Sequence, residues 1–284
     1  MAEYKDKTYS EERALFSSKD AVIERCIFED GESPLKESKN IKVYKSTFKW
    51  KYPLWYCGDV VLENSTLEET ARSGIWYTKD IKVINSVIHA PKTFRRAENI
   101  ILDNVTMDNA SETLWNCKDV SICNCKIKGD YLGINSENIE VLNLELEGNY
   151  LFDGSKNIVV KNSVLKSKDS FWNCENVTVI NCTIIGEYLG WNSKNVTFIN
   201  CHIESHQALC YMQNVKLVNC ELVKSDLCFE YCSNVDADII TEIDSVKNPY
   251  SGIISSPKIK ELILDEKYID KNKVIIKTRR YEQI

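Results

Sequence analysis

The sequence predicts an all-β protein, a parallel β-helix in which the chain winds through about 12 rungs of 19–21 residues. Three observations predict it. An Asp or Asn recurs at this interval. Apolar residues alternate with period two after it, and an Asn lies five residues after the recurring Asp or Asn. Period two indicates strands rather than helices. The recurring first residues are Asp20, Asn40, Asp59, Asp80, Asn99, Asp119, Asn138, Asn157, Asn176, Asn195, Asn214 and Asn234.

The second recurring residue predicts a tight corner between two short strands. It is an Asn in nine consecutive rungs, and Asn tolerates left-handed backbone and can bond its own main chain. Stacked Asn side chains can also bond one another as a ladder. In the rung that begins at Asn176, the side chains expected to share one face are those of Val177, Val179, Cys182 and Ile184. The corner residues are Asn64, Asn85, Asn104, Asn124, Asn143, Asn162, Asn181, Asn200 and Asn219.

Other solenoids fit this pattern less well. Helical repeats need a period of 3.6 residues, which is absent. A leucine-rich repeat places its Asn three residues after a strand Leu, whereas here Asn181 follows Val179 by two. The five-residue spacing from Asn176 to Asn181 suits a pentapeptide solenoid, but the Trp-Asn-Cys half of the repeat does not continue it. We therefore expect one domain over 1–284, with an N-terminal cap at 1–19, regular rungs at 20–244, and a degraded final rung with a C-terminal cap or tail at 245–284.

Charge and hydropathy exclude several classes of protein. With 36 Lys and Arg against 42 Asp and Glu, the net charge of −6 provides no basic field for nucleic acid or anionic lipid. No apolar run approaches the ~20 residues of a membrane span, and the polar start lacks the apolar segment of a signal peptide. We expect a cytoplasmic protein with no nucleic-acid or membrane partner.

The 12 cysteines follow the register of the repeat. Nine occupy two columns that otherwise hold Ser, Thr, Ala or Val, namely Cys26, Cys125, Cys182, Cys201 and Cys220, then Cys57, Cys117, Cys174 and Cys232. These columns are small core positions, where a free thiol behaves as a small hydrophobe. Disulfides are uncommon in a reducing cytosol, and a zinc site needs spaced pairs of ligands. We expect reduced core thiols, with no metal and no cofactor.

A column of tryptophans lies four residues before each recurring Asp or Asn. It reads Trp55, Trp76, Arg95, Trp115, Ile134, Asp153, Trp172, Trp191, Cys210 and Glu230. A column that mixes Trp with charged residues is costly to bury. The residues just before it form the inward column, with Leu54, Ile75, Phe94, Leu114, Phe152, Phe171 and Phe229. We therefore expect an exposed aromatic stripe, which usually marks a binding surface.

Candidate site residues follow from this stripe and from the loop beside it. Exposed aromatics stack on sugar rings, and arginines can neutralise an acidic sugar. The candidate binding residues are Trp55, Trp76, Arg95, Arg96, Trp115, Tyr131, Trp172, Tyr188 and Trp191. Paired carboxylates ~5–10 Å apart serve glycosidases as acid and base or nucleophile, which makes Glu112, Asp130, Asp153 and Asp169 the catalytic candidates. The alternative is that these carboxylates solvate the loop edge.

Several longer runs are distinctive, among them Gly31-Glu-Ser-Pro-Leu-Lys-Glu-Ser38, Gly74-Ile-Trp-Tyr-Thr78, Phe171-Trp-Asn-Cys174 and Gly186-Glu-Tyr-Leu-Gly-Trp-Asn-Ser193. With them the chain resembles, over nearly its whole length, an uncharacterised bacterial family of the pectin-lyase-like β-helix superfamily. The resemblance implies right-handed coiling and carries no known activity. The runs typical of polygalacturonases (Asn-Thr-Asp, Gly-His-Gly, Arg-Ile-Lys) and the calcium-binding Asp pattern of pectate lyases are absent.

Two functions remain open at this stage. One is the binding of a carbohydrate or other extended ligand on the aromatic and charged face, with turnover by a hydrolase, lyase or isomerase undecided. The other is a scaffold without enzymatic activity, whose aromatic face docks a protein partner or a second copy of the chain. The sequence leaves the substrate and the oligomeric state undetermined.

Overall fold

The computed structural model describes residues 1–278 and is a right-handed parallel β-helix, as the sequence predicts. It has about 15 turns rather than 12, and no α-helix among these residues. The count is higher because strands also form where the recurring Asp or Asn is missing. Two strands within Ala2–Tyr9 precede Asp20, and four strands follow Asn234. Residues 1–278 contain no helix long and apolar enough to span a bilayer.

The chain forms two compact units, Met1–Glu147 and a second that begins at Gly148. The strands of the first unit are β1 (Ala2–Lys5), β2 (Thr8–Tyr9), β3 (Lys19–Glu24), β4 (Ile27–Phe28), β5 (Lys39–Tyr44), β6 (Thr47–Phe48), β7 (Gly58–Glu63), β8 (Thr66–Leu67), β9 (Ile75–Trp76), β10 (Lys79–Ile84), β11 (Val87–Ile88), β12 (Phe94–Arg95), β13 (Glu98–Asp103), β14 (Thr106–Met107), β15 (Lys118–Cys123), β16 (Lys126–Lys128), β17 (Glu137–Leu142) and β18 (Glu145–Glu147). Those of the second unit are β19 (Lys156–Lys161), β20 (Val164–Lys166), β21 (Glu175–Ile180), β22 (Thr183–Glu187), β23 (Lys194–Ile199), β24 (His202–His206), β25 (Gln213–Val223), β26 (Ser233–Ile239), β27 (Ile243–Lys247), β28 (Gly252–Ser256), β29 (Ile259–Ile263) and β30 (Val274–Thr278), with a 3₁₀ helix at Lys271–Lys273. The last six residues of the expected C-terminal tail, 279–284, lie outside the described residues.

In each unit the strands stack in parallel sheets. In the first unit the longer strands β1, β3, β5, β7, β10, β13, β15 and β17 form one sheet. The short strands β2, β4, β6, β8, β11, β14, β16 and β18 form a second. β9 and β12 add a small third sheet. In the second unit β21 pairs with β23 and β22 with β24, so that Val177 lies beside Val196 and Ile184 beside Ile203. Equivalent residues of successive turns are therefore direct neighbours.

The interior is filled by columns of identical or similar side chains. Every residue of the predicted inward column is at most 1% exposed. In the first unit the rings of Phe28 and Phe48 stack with centroids 4.7 Å apart. All 12 cysteines are free and 11 are buried, which confirms that the cysteine columns belong to the core. Many thiols donate to a carbonyl of the preceding turn, as Cys174 does to Phe152 at 3.0 Å, and burial raises the pKa of Cys174 to about 12.

The predicted Asn corner is present, with all nine residues in the left-handed region. Their side chains form the expected ladder over part of each unit, whereas Asn64 Nδ2 donates to Glu63 and Asn124 Nδ2 donates to Asp103. In the first unit Asn104 Nδ2 donates to Asn85 Oδ1 at 2.8 Å. In the second unit Asn200 donates to Asn181 at 3.1 Å and Asn219 to Asn200 at 2.9 Å. The residues that begin each repeat also have positive φ, and those that are Asn, such as Asn138 and Asn195, donate to their stacked neighbour in the same way. Asn is thus selected twice per turn, because it both tolerates this backbone and bonds to its stacked neighbour.

Candidate functional site

The tryptophan column of the first unit is a continuous stack on the outside of the solenoid. Trp55 and Trp76 are parallel within 7°, with centroids 5.3 Å apart. The guanidinium of Arg95 lies between two indoles, 4.6 Å from the ring of Trp76 and 4.7 Å from that of Trp115. Such cation–π contacts contribute about 0.5–2 kcal/mol each. The column is half-buried, and the stacked neighbours cover its ring faces.

Hydrogen bonds fix these indoles further. Trp76 Nε1 donates to the carbonyl of Lys92 at 2.8 Å, and Trp115 Nε1 to that of Tyr131 at 2.7 Å. The bonded carbonyl lies in the loop of the next turn, 16 residues ahead. Each indole N–H is thereby satisfied, as partly buried Trp usually requires. The edges of the indoles face solvent, while the faces that would stack on a sugar are occupied.

The charged residues around this stack neutralise one another. Glu112 Oε2 lies 3.5 Å from Arg95 Nη2 and 3.1 Å from Lys92 Nζ. Arg96 is exposed and lies 5.9 Å from the ring centre of Tyr77. Asp130 and the ring of Tyr131 are both exposed. The carboxylate of Glu112 therefore has a structural partner, because it holds Arg95 in the stack. The binding roles of Arg95, Arg96 and Tyr131 and the catalytic roles of Glu112 and Asp130 stay predictions.

The second unit contains a shorter stack of the same kind. Trp172 and Trp191 are parallel within 7° at 5.5 Å, and Trp172 Nε1 donates to the carbonyl of Tyr188 at 2.6 Å. The rings of Tyr150 and Tyr188 are nearly perpendicular to Trp172 and Trp191, respectively. The ring of Tyr188 also contacts that of His206, with centroids 5.7 Å apart.

Two candidate carboxylates of the second unit lie near this stack. Asp153 Oδ1 accepts a hydrogen bond from Asn173 Nδ2 at 2.7 Å. Asp169 is 8% exposed. Burial, and then the negative charge of Glu187, raise the pKa of Asp169, and the Tyr150 hydroxyl donates to it. A carboxyl that is costly to ionise beside an aromatic surface is a functional-site candidate, because ordinary surface carboxylates lack this strain.

We predict that Asp169→Asn stabilises the protein at neutral pH. The folded-state pKa is raised, so ionisation above it removes stability, and a neutral amide of the same shape avoids that cost. Asn also suits the left-handed backbone at φ 56°. We expect a melting temperature about 3 °C higher at pH 7, with the gain shrinking as pH falls towards the unfolded-state pKa of about 4.

Thermal melts across pH, followed by circular dichroism, test this, with Asp30→Asn at an exposed carboxyl as the control expected to change nothing. A lower melting temperature for Asp169→Asn at pH 7 would show that the carboxylate stabilises the fold. A stabilising replacement would instead mark Asp169 as a residue retained at a cost, which is typical of functional positions.

A groove of about 340 Å³ lies in the second unit beside the Trp172–Trp191 stack. It is lined by Asn173, Cys174, Glu175, Asn192, Ser193, Lys194, Tyr211 and Gln213. Asn192 Nδ2 donates to Asn173 Oδ1 at 2.8 Å, and Glu175 lies 3.2 Å from Lys194 Nζ. Tyr211 is 42% exposed, with its ring 5.2 Å from Trp191. The groove thus combines amide donors and acceptors with one open aromatic ring.

The groove follows a third corner of the turn, which the sequence-based prediction omitted. Asn173, Asn192 and Tyr211 have φ values of 53°, 59° and 60°, and they lie three residues before the recurring Asn. A signal for this corner is present in the sequence, since this column holds Asn, Tyr, Gly or Arg in ten rungs from Tyr56 to Tyr231. The tryptophans one residue earlier form the more conspicuous column.

Comparisons with known proteins agree with the fold. A family model described as a protein of unknown function, DUF3737, matches residues 2–277. No curated protein sequence matches the chain. The surface protein and adhesin PfbA of Streptococcus pneumoniae is similar in structure over 82% of this chain and 90% of its own, at 11% identity and a TM-score of 0.50. The A-module of the Azotobacter vinelandii mannuronan C-5 epimerase AlgE4 covers 78% of this chain and 86% of its own, at 11% identity and a TM-score of 0.35. At 11% identity the likeness to PfbA concerns the β-helix fold alone.

Proposed function

The chain belongs to the DUF3737 family of proteins of unknown function, and we propose that its second unit binds a saccharide in the groove beside Tyr211. The observation that carries this proposal is the lining of the groove. Amides, a carboxylate and an ammonium offer both donors and acceptors, which sugar hydroxyls require. The volume falls within the ~300–1,000 Å³ typical of small-molecule sites.

The proposed site is centred on Tyr211 rather than on the tryptophans. Trp172 and Trp191 cover each other, and their indole N–H groups bond to backbone carbonyls. Tyr211 instead meets Trp191 at 61°, and its ring is open to the groove. A pyranose ring has an apolar C–H face that packs against such a ring while its hydroxyls reach the amides. The tryptophan stack then serves to hold the wall of the groove rigid.

A glycan array followed by titration calorimetry tests the proposal. We expect Tyr211→Ala to weaken the binding of the best array ligand at least tenfold, since an aromatic anchor commonly dominates a site. Gln213→Ala removes one amide and is expected to weaken it about fivefold.

The matched control is Tyr56→Ala in the first unit. Tyr56 occupies the same register column, has a φ of 57° and is 47% exposed, and we expect its replacement to leave saccharide affinity unchanged. An array without a single bound glycan would overturn the proposal. If the protein then self-associated with concentration, the second candidate, a scaffold that docks a second copy, would be favoured. That candidate is supported by the stacked, partly exposed rings of Tyr56 and Tyr77 beside Lys36 and Arg96.

A further inference from the structure

A ridge of four tyrosines leads away from the groove within the second unit. Its members are Tyr211, Tyr231, Tyr250 and Tyr268. Ring centroids are 5.5 Å apart from Tyr211 to Tyr231, 5.7 Å from Tyr231 to Tyr250 and 6.3 Å from Tyr231 to Tyr268. Tyr250 is 41% and Tyr268 62% exposed. Because Tyr211 also lines the groove, the groove and the tyrosine ridge form one continuous surface.

The rings of the tyrosine ridge are more open than those of the tryptophan stack. Neighbouring rings are tilted by 32–48° rather than parallel, so their faces are not closed against one another. Hydrogen bonds hold two of them in place. Tyr268 Oη donates to Tyr231 Oη at 3.4 Å, and Tyr231 Oη donates to Glu266 at 3.3 Å. Exposed aromatic rings whose orientation is fixed lose little side-chain entropy when a ligand packs against them.

Charged groups of both signs surround the ridge. The hydrogen bond with Tyr268 and then burial raise the pKa of Tyr231, and the carboxylates of Glu266 and Glu230 add to this. Asp265 accepts a hydrogen bond from Asn248 at 2.8 Å. Lys247 lies 2.8 Å from Glu230 and neutralises that one carboxylate. In the groove, Glu175 is matched by Lys194 and, at 3.8 Å, by Lys156. Lys156, Lys194 and Lys247 are thus each paired with a carboxylate and offer no free ammonium to a polymer of uronic acids.

We infer that the groove and the tyrosine ridge together bind an extended, uncharged saccharide chain, with the ridge supplying the contacts for units beyond those held in the groove. This inference rests on the proposed function and adds to it the length and the charge class of the ligand. The tilted tyrosines offer successive ring faces to successive sugar units, and the carboxylates accept hydrogen bonds from neutral hydroxyls.

The test is a series of titrations against chain length. The probes are cello-, xylo-, manno- and N-acetylated chito-oligosaccharides from disaccharide to hexasaccharide, with oligogalacturonides of the same lengths as the anionic comparison. For at least one uncharged series we expect the affinity to rise about tenfold from disaccharide to hexasaccharide, which is about 1.4 kcal/mol. We expect no such rise for the oligogalacturonides.

The double variant Tyr250→Ala/Tyr268→Ala isolates the ridge, since both side chains are exposed and outside the groove. We expect it to keep the wild-type affinity for the disaccharide and to lose the gain with length, whereas Tyr56→Ala keeps both. If the disaccharide binds but the affinity does not rise with chain length, the role of the ridge alone is overturned. The same holds if the rise persists in the double variant. Stronger binding of the oligogalacturonides would overturn the charge class. No binding of any probe would overturn the proposed function and the inference with it.

Discussion

Gly186→Ala is expected to lower the free energy of unfolding by about 3 kcal/mol or more, at the upper end for added atoms in a packed site. A Cβ at Gly186 would lie 1.9 Å from the carbonyl oxygen of Ser167 and 2.6 Å from its carbonyl carbon. Both atoms belong to the backbone of the preceding turn, so no side-chain rotation relieves the collision. The turns would have to separate, which breaks the ladder between β20 and β22.

Gly58→Ala is the matched control for this prediction. A Cβ at Gly58 would find its nearest atom, Lys39 Cγ, at 3.9 Å, which is ordinary contact. We expect its stability to change little or to rise by up to about 1 kcal/mol, because Ala restricts the unfolded chain. Urea unfolding followed by circular dichroism compares the two variants directly. Equal stabilities for Gly186→Ala and Gly58→Ala would refute the steric argument.

The fold could be predicted from the sequence because a solenoid repeats its constraints. Asn176 and Asn195 differ little from each other in context, and the period-two pattern after each places Val177 beside Val196. One rung therefore serves as evidence for the next. The extra turns were not predicted, because β1 and β28 are held by pairing with β3 and β26 and lack the recurring Asn.

The candidate site was harder to predict for a physical reason that Trp76 illustrates. Parallel stacking places equivalent side chains of successive turns about 5 Å apart, which is the distance at which aromatic rings stack on one another. The same column of tryptophans is thus expected for a sugar-binding surface and for a stack in which the rings only contact one another. The sequence cannot separate these two cases, whereas the indole bond to Lys92 and the position of Arg95 do.

Tyr211 shows the converse case, a residue whose exposure depends on tertiary packing. It follows Cys210, which occupies the tryptophan column but is buried, so the stack ends at Trp191 and the ring of Tyr211 meets it at 61°. The groove exists because large residues give way to amides at Asn173 and Asn192. Such local changes in side-chain size are visible in the sequence only after the third corner is recognised.

Asn200→Val is expected to destabilise the protein by about 3 kcal/mol. Asn200 has a φ of 51°, and a β-branched residue in this region costs about 1–3 kcal/mol. The variant also loses two rungs of the ladder, the donation to Asn181 at 3.1 Å and the acceptance from Asn219 at 2.9 Å. These bonds are exposed, and together they contribute about 1 kcal/mol. Urea unfolding again measures the loss.

Two further variants separate backbone strain from the ladder. Asn200→Gly keeps the left-handed backbone at no steric cost and loses only the ladder, so we expect about 1 kcal/mol of destabilisation. Thr197→Val places the same side chain in the middle of β23, where φ is not positive and the half-buried Thr is already β-branched, and we expect a change near zero. If Asn200→Val and Asn200→Gly were equally unstable, the left-handed corner would carry no strain, and the ladder alone would account for the recurrence of Asn.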